Sequence, residues 1–247
     1  MTKKAKEIEE VMIGMGDEAK AKHLMRFFKC APDQYGYGDK FLGIKVPETR
    51  SLVKECRNLV SLKDAVDLVK SEWHEVRLAG FLFLIELYKK AVKSKNRKSV
   101  EEIVNLYLEL IPYGNNWDLV DLVAPKILGE FMVDCQEKRQ ILDVFSDMSD
   151  SLWHQRVAIV ATWTLICHGM YEETLRIAKK YLNHSHDLIH KASGWMLREV
   201  GKRGGDKELR DFLDSYASKM PRTMLRYSIE RLPEQERQYY LKYQKND

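Results

Sequence analysis

Apolar residues recur with the period of an α-helix along almost the whole chain. In the segment 62–70, Leu62, Ala65, Val66 and Val69 follow the i, i+3, i+4, i+7 spacing that places side chains on one helix face. The chain holds only 13 glycines and 6 prolines in 247 residues, and the alternation typical of strands is almost absent. We therefore predict an all-α fold.

The predicted helices form repeating pairs. A shorter helix followed by a longer one recurs near residues 63–90, 99–133, 138–168 and 172–203, with another pair after residue 207. Aligning the longer helices by their apolar patterns gives five equivalent positions, 35 to 41 residues apart: Arg77, Asp118, Arg156, Lys191 and Arg226. This spacing is typical of HEAT-like repeats. Because one pair cannot bury its apolar stripe alone, we expect a single domain over residues 1–247, an α-solenoid with a concave groove.

The aligned positions predict that this groove is basic. The net charge of +4 is mild, but four of the five equivalent residues are cations, and Arg198 lies among further cations in the last third. In a helical solenoid the second helices line the concave side, so these cations would suit a phosphate backbone. For any single Lys or Arg an ordinary solvated helix face is the better interpretation, whereas for the aligned row charge alone favours nucleic acid and a solvated face equally.

One acidic residue interrupts the cationic row. Trp117 and Asp121 are four residues apart and share a helix face, whereas Asp118 near the helix start could cap it or complement its dipole. A carboxylate in a basic groove is either paired with a cation such as Arg156 or retained for chemistry. Trp195 follows Lys191 by four residues. A tryptophan at helical spacing is usually part of a core, so groove and core both remain open for the indoles.

Several classes of protein are excluded by what the sequence lacks. No apolar stretch reaches the roughly 18 residues of a membrane span, and the N-terminus has no apolar signal region, so we expect a cytoplasmic protein. The sequence contains no P-loop, GxGxxG, GxSxG or HExxH motif. The histidines at 184, 186 and 190 lack a clear fourth ligand, so no metal site is assigned. The cysteines are far apart and are expected to be reduced thiols: Cys30, Cys56, Cys135 and Cys167.

Five stretches in order along the chain resemble one known family. They are FLGIKVPETR at 41–50, NWDLVDLVAP at 116–125, WHQR at 153–156, ASGWMLRE at 192–199 and MPRTMLRY at 220–227. Together they are similar to the motifs of the AlkD family of DNA alkylation repair proteins. Any one stretch would be weak, but the set spans residues 41 to 227.

The resemblance implies a HEAT-like DNA glycosylase that releases purines alkylated at N3 or N7 from duplex DNA without a cofactor. It implies that Asp121 is the catalytic aspartate, that Trp117 and Trp195 are active-site tryptophans, and that Arg156 binds a phosphate. A family tyrosine from an early helix corresponds here to Phe27, with Tyr35 or Tyr37 as substitutes. The resemblance and the cationic row together give these predicted DNA contacts: Lys45, Pro47, Arg50, Arg77, Trp153, Lys191, Arg198 and Arg226.

The expected enzyme is monofunctional, since no lysine is placed as a Schiff-base nucleophile, and it is expected to be a monomer because DNA must enter the groove. Two alternatives remain at this point. One is an inactive solenoid that binds DNA or a protein without turnover. The other is a helical scaffold for RNA or a peptide.

Overall fold

Helices make up most of residues 1–243, the part that this computed structural model describes, and the chain divides into two compact units. Unit 1 is Met1–Val123 and unit 2 begins at Ala124. The helices of unit 1 are α1 (Lys3–Gly14), α2 (Glu18–Phe27), α3 (Val46–Cys56), α4 (Leu62–Val69), α5 (His74–Lys93), α6 (Arg97–Leu110) and α7 (Trp117–Val123). Those of unit 2 are α8 (Glu130–Asp134), α9 (Ile141–Asp147), α10 (Leu152–Val160), α11 (Thr162–Cys167), α12 (Glu172–Lys180), α13 (Asp187–Lys202), α14 (Asp206–Tyr216), α15 (Arg222–Ser228) and α16 (Glu234–Tyr243).

Short helical turns complete the chain. Turns of 3-10 helix cover Ile111–Tyr113, Gln136–Gln140, Tyr181–Asn183 and Ala217–Lys219, and a π-helical turn covers Pro125–Gly129. No helix within residues 1–243 is both long enough and apolar enough to cross a lipid bilayer.

The core of unit 1 forms around α5. Its side chains are buried on nearly every side, including Phe81, Phe83 and Leu84, because α3, α4, α6 and α7 all pack against it. Each such side chain contributes about 1.5–3 kcal/mol through removal from water. Gly80 permits the closest approach: a Cβ there would lie 2.5 Å from the backbone nitrogen of Val69 in α4.

The core of unit 2 forms around α13. Helices α10, α12, α14 and α15 pack against it, and its buried residues include Ile189, Met196 and Leu197. Gly194 lets α15 approach closely, since a Cβ at this position would lie 2.4 Å from the carbonyl oxygen of Met224. The helix pairs expected at 63–90 and 172–203 correspond to α4 with α5 and to α12 with α13, each packed within one unit.

Two of the predicted helices are interrupted. The longer helix predicted for the pair at 99–133 is broken, because α7 ends at Val123 and a π-helical turn begins at Pro125. Proline has no N–H to donate four residues back, which breaks the α-helical ladder. Gly129 N–H instead donates to the carbonyl of Ala124, five residues back, at 2.9 Å. The longer helix predicted for the pair at 138–168 is likewise divided at Ala161, between α10 and α11.

Candidate active site

Helix α7 carries two of the predicted catalytic residues on its accessible side. Its start is fixed by Asn116, whose Oδ1 accepts from the Trp117 backbone N–H at 2.9 Å and whose Nδ2 donates to the Phe28 carbonyl at 3.2 Å. Trp117 and Asp121 are only half-buried. The core-facing residues of the same helix are buried: Asp118, Leu119, Val120 and Val123. Two residues of one short helix, Trp117 and Asp121, are therefore partly accessible to solvent.

Aromatic rings surround Trp117. Phe28 lies 5.3 Å from it between ring centroids, and Phe27 meets it edge-on at 5.8 Å. Phe27 is 56% exposed, so this ring extends the accessible aromatic surface from α2 towards α7. Among the three candidates for the early aromatic position, Phe27 has an edge-on ring contact with Trp117. Tyr35 is half-buried and Tyr37 is 68% exposed.

A buried charged cluster lies directly beneath α7. The His74 ring, 1% exposed, places Nδ1 2.8 Å from Asp39 Oδ2 and Nε2 2.9 Å from Asp118 Oδ2. Arg77 donates to the other oxygen of Asp39 at 2.5 Å. Two cations thus face two carboxylates where water is excluded, and we call these four residues the His74 cluster.

Electrostatics within this cluster displace two pKa values. Burial acts to lower the pKa of His74, but the Asp118 charge and the hydrogen bonds to Asp118 and Asp39 outweigh it and raise the pKa from 6.5 to about 9. Burial acts to raise the pKa of Asp39, but the hydrogen bond from His74 and the charge of Arg77 outweigh it and bring the pKa below its ordinary value. Both groups are therefore charged at neutral pH.

Glu75 anchors the Gly- and Tyr-rich loop that joins α2 to α3. Its Oε2 accepts from the Leu42 N–H at 2.9 Å, and its Oε1 accepts from the N–H groups of Gly43 and Ile44 at 2.8 and 3.1 Å. Gly43 has φ +88°, and a Cβ there would lie 2.1 Å from the Asp17 carbonyl oxygen, so only glycine fits this turn. The loop is consequently held against the start of α5.

The loop leads into the predicted DNA contacts of unit 1. Lys45, Pro47 and Arg50 are all exposed, at the start of α3. Proline in the first turn of this helix costs no hydrogen bond, because that N–H would lack a helical partner in any case. The anchored loop therefore presents these three residues to solvent.

The structure corrects the prediction for Arg77. This residue is 5% exposed, and it donates to Asp39, to Asn115 Oδ1 and to the carbonyls of Ser71 and Glu72. A guanidinium committed in this way cannot serve as a solvent-facing DNA contact. Asp118, assigned to the equivalent position of the next repeat, is also buried, at 5% exposure, because it pairs with His74.

In unit 2, α10 carries Arg156 and Trp153. Arg156 is 5% exposed, and its guanidinium donates to the Leu188 carbonyl at 2.6 Å, which ties α10 to the start of α13. Trp153, one turn earlier, is half-buried. Of the aligned row, three members are therefore buried, a departure from the expected run of groove-facing cations. An α-helical period of 3.6 identifies a shared face but not whether that face meets solvent or protein.

The remaining predicted residues of unit 2 lie on α13 and α15. Trp195 is half-buried, and Lys191, one turn before it, pairs with Asp187 at 2.8 Å. Arg198 pairs with Glu230. Arg226 is exposed on α15.

The three clustered histidines bond to neighbouring groups of unit 2. His184 Nε2 lies 2.9 Å from Gln155 Oε1, and its Nδ1 accepts from the His186 N–H. His190 Nε2 lies 2.5 Å from the His184 carbonyl oxygen. Within residues 1–243, no group of three or more His, Cys, Asp or Glu side chains is arranged to hold a metal ion.

Sequence reasoning missed the His74 cluster and Glu75. The available signal was the start of the most apolar helix, where His74, Glu75 and Arg77 interrupt a run that is otherwise apolar. Three polar residues in the first turn of a core helix need buried partners, and a loop rich in backbone N–H groups is a natural source of them.

Comparisons with known proteins fit this arrangement. A sequence profile of the DNA alkylation repair enzyme family matches residues 8–232. The chain belongs to this family. Its role is therefore in DNA repair, and its assignment among enzymes follows from the family.

A solved structure shares the fold of this family member. It is a predicted DNA alkylation repair enzyme from Enterococcus faecalis, with a TM-score of 0.69 and 18% sequence identity, and the match covers 89% of this chain and 97% of the other. The all-α, solenoid-type fold predicted from the sequence is confirmed. Among curated protein sequences, none matches the chain significantly.

Proposed function

We propose that this member of the family is a monofunctional DNA glycosylase that hydrolyses the N-glycosidic bond of N3- or N7-alkylated purines, such as 3-methyladenine and 7-methylguanine, in duplex DNA. The observation that carries the proposal is the accessible side of α7, where a half-buried carboxyl, Asp121, lies one turn from a half-buried indole, Trp117. Both residues are partly accessible to solvent, whereas Asp118, Leu119, Val120 and Val123 of the same helix are buried.

The chemistry of the substrate explains why one carboxylate is enough. A purine alkylated at N3 or N7 already carries positive charge, so it can leave without protonation. Cleavage then develops oxocarbenium character on the sugar, the same demand that glycosidases meet with carboxylates. In this proposal Asp121 stabilises that cation and orients or deprotonates the attacking water.

The indoles provide selectivity for the damaged base. An electron-rich ring face attracts a cation by about 0.5–2 kcal/mol, and a neutral, undamaged base gains much less. We assign this attraction of the cationic base to the Trp117 indole, which Phe27 contacts edge-on. Trp195 on α13 is assigned a second indole face on the strength of the resemblance.

The duplex is bound through its phosphates. Arg156 is assigned a phosphate on the strength of the resemblance alone; it is 5% exposed and bonded to the Leu188 carbonyl, so this contact requires its guanidinium to move towards the DNA. The exposed cations that suit further phosphate contacts are Lys45, Arg50 and Arg226, whereas Pro47 can offer only van der Waals contact. The remaining proposed DNA contacts are Trp153, Lys191 and Arg198, the last two in ion pairs with which DNA phosphates would have to compete.

The test is base release from methylated duplex DNA by the wild type and by Asp121→Asn. We expect the single-turnover rate to fall at least about 100-fold in Asp121→Asn, which corresponds to about 2.7 kcal/mol of lost transition-state stabilisation. The matched control is Asp211→Asn, which neutralises an exposed carboxylate paired with Lys207. It should release base at the wild-type rate.

Measuring DNA binding and base release together distinguishes a glycosylase from a non-catalytic binding module. Asp121→Asn should bind duplex DNA at least as tightly as the wild type, because a negative charge has been removed. Salt-dependent DNA binding by the wild type without any base release would instead identify a non-catalytic binding module. Preferential binding of RNA when duplex DNA and RNA compete would instead identify a helical scaffold for RNA.

A further inference from the structure

The geometry of the His74 ring fixes its protonation state. Each ring nitrogen faces a carboxylate oxygen, Nδ1 at 2.8 Å from Asp39 and Nε2 at 2.9 Å from Asp118. An ionised carboxylate only accepts hydrogen bonds, and a neutral imidazole has only one N–H to donate. Both contacts can be made together only by the imidazolium, which donates from both nitrogens.

The groups around the ring favour that charge. Arg77 donates a hydrogen bond to the other oxygen of Asp39. Asp118 Oδ1 is buried without a hydrogen-bond partner among the described residues, so His74 is the main group that compensates the negative charge of Asp118. Phe41 stacks on the imidazole at 4.3 Å and Phe28 lies at 5.1 Å, which presents ring faces to a cation.

Two further titratable groups lie nearby. Burial raises the pKa of the Cys30 thiol to about 11, so it stays neutral. The Glu75 carboxylate is directed away to the backbone N–H groups of Leu42, Gly43 and Ile44. Neither provides an alternative partner for the imidazolium.

The bond to Asp118 also holds the proposed catalytic helix. Asp118 directly follows Trp117 and precedes Asp121 by three residues, and α7 has only seven residues. A helix this short has little stability of its own, so its position depends on its contacts with neighbouring elements. His74 links α7 to α5 and, through Asp39, to the loop before α3.

We propose that His74, as an imidazolium, is a positioning residue for the glycosylase reaction: it holds α7 so that Trp117 and Asp121 face the damaged nucleotide, and its deprotonation switches activity off at alkaline pH. This inference rests on the proposed function. His74 touches no substrate, since it is 1% exposed and acts only through Asp118 and Asp39.

The pH range follows from the cluster. The pKa of His74 is raised to about 9, so the imidazolium persists at neutral pH and is lost as the pH rises through about 9. The Asp118 charge is the largest of the causes that raise this pKa. Removing that charge should therefore move the alkaline limit to lower pH.

The experiment measures single-turnover base release at saturating enzyme from pH 6 to 10 for the wild type, Asp118→Asn and the control His168→Gln, whose histidine is exposed at the end of α11. We expect an alkaline limb near pH 9 for the wild type and for His168→Gln. In Asp118→Asn the limb should move down by at least about one pH unit, with a larger effect on the rate of base release than on DNA affinity. A variant that merely loosened the fold would lower the rate at every pH without moving the limb.

Nuclear magnetic resonance of histidine-labelled protein tests the same inference without activity. The His74 ring nitrogens should report an imidazolium at pH 7 that titrates near 9, and the Trp117 indole N–H should shift with the same midpoint. If Asp118→Asn does not fold, Asp39→Asn provides the same comparison.

The outcomes are distinguishable. Absence of base release from the wild type at every pH refutes the proposed function, while the titration still decides the state of His74. A neutral His74 at pH 7, or an alkaline limb that stays in place in a folded Asp118→Asn or Asp39→Asn, overturns the positioning role even if the enzyme is active.

Discussion

The anchoring of the loop by Glu75 leads to a sharp prediction for Glu75→Gln. Glutamine keeps the shape of the side chain but replaces one carboxylate oxygen by an NH2 group. If its oxygen takes the place of Oε1 and keeps the bonds to Gly43 and Ile44, its NH2 group meets the Leu42 N–H across the 2.9 Å now spanned by a hydrogen bond. The opposite rotamer is worse, because the NH2 group would then face two donors.

The magnitude follows from these three bonds. The substitution loses one charge-assisted hydrogen bond and leaves two buried donors facing each other, and each unsatisfied buried donor costs about 1–3 kcal/mol. The two retained bonds weaken because the acceptor is no longer charged. We expect unit 1 to lose about 2–6 kcal/mol of unfolding free energy, because two donors are left unsatisfied.

Urea denaturation followed by circular dichroism measures this loss, and hydrogen exchange at Leu42, Gly43 and Ile44 localises it. The control is Glu86→Gln on the same helix, where the carboxylate pairs with the exposed Lys89. A surface pair of this kind contributes about 0–1 kcal/mol. Equal losses of unfolding free energy in the two variants would refute the role of Glu75 in anchoring the loop.

Three further predictions concern the pH dependence, the loop and unit 2. The pKa of His74 is raised from 6.5 to about 9, so its protonation contributes roughly 3 kcal/mol to the free energy of unfolding. This contribution is fully present below pH 6.5 and is lost as the pH rises through 9. Thermal unfolding between pH 6 and 10 should therefore show a fall in Tm, and the fall should be smaller in Asp118→Asn. Gly43→Ala should lower the Tm far more than Gly38→Ala, since both have positive φ but only the Cβ at position 43 meets the backbone; similar shifts would contradict the steric argument. Thr164→Val should lower the free energy of unfolding by about 1–2 kcal/mol, because the hydrogen bond to the Pro125 carbonyl is lost. Thr174→Val should be neutral or stabilising, because the buried Thr174 hydroxyl has no hydrogen-bond partner among the described residues. The urea midpoints of the two variants test this difference.

The helical period determined the fold class and the position of α7. Apolar spacing of three and four residues can be satisfied only by helices with one buried face, so the sequence predicted the helix pairs without any knowledge of their partners. The same rule placed Trp117 and Asp121 on one side of α7, as the structure has them.

Tertiary packing decided which polar residues meet solvent. Arg77 and Arg156 have the same spacing and chemistry as an exposed cationic row, yet each is 5% exposed and bonds to backbone carbonyls of its own unit. The partner that buries a charge lies far away in sequence: Asp39 precedes Arg77 by 38 residues, and Asp118 follows His74 by 44. Periodicity reports only the neighbours three and four residues away, so the charged cluster beneath α7 became visible only when the chain was folded.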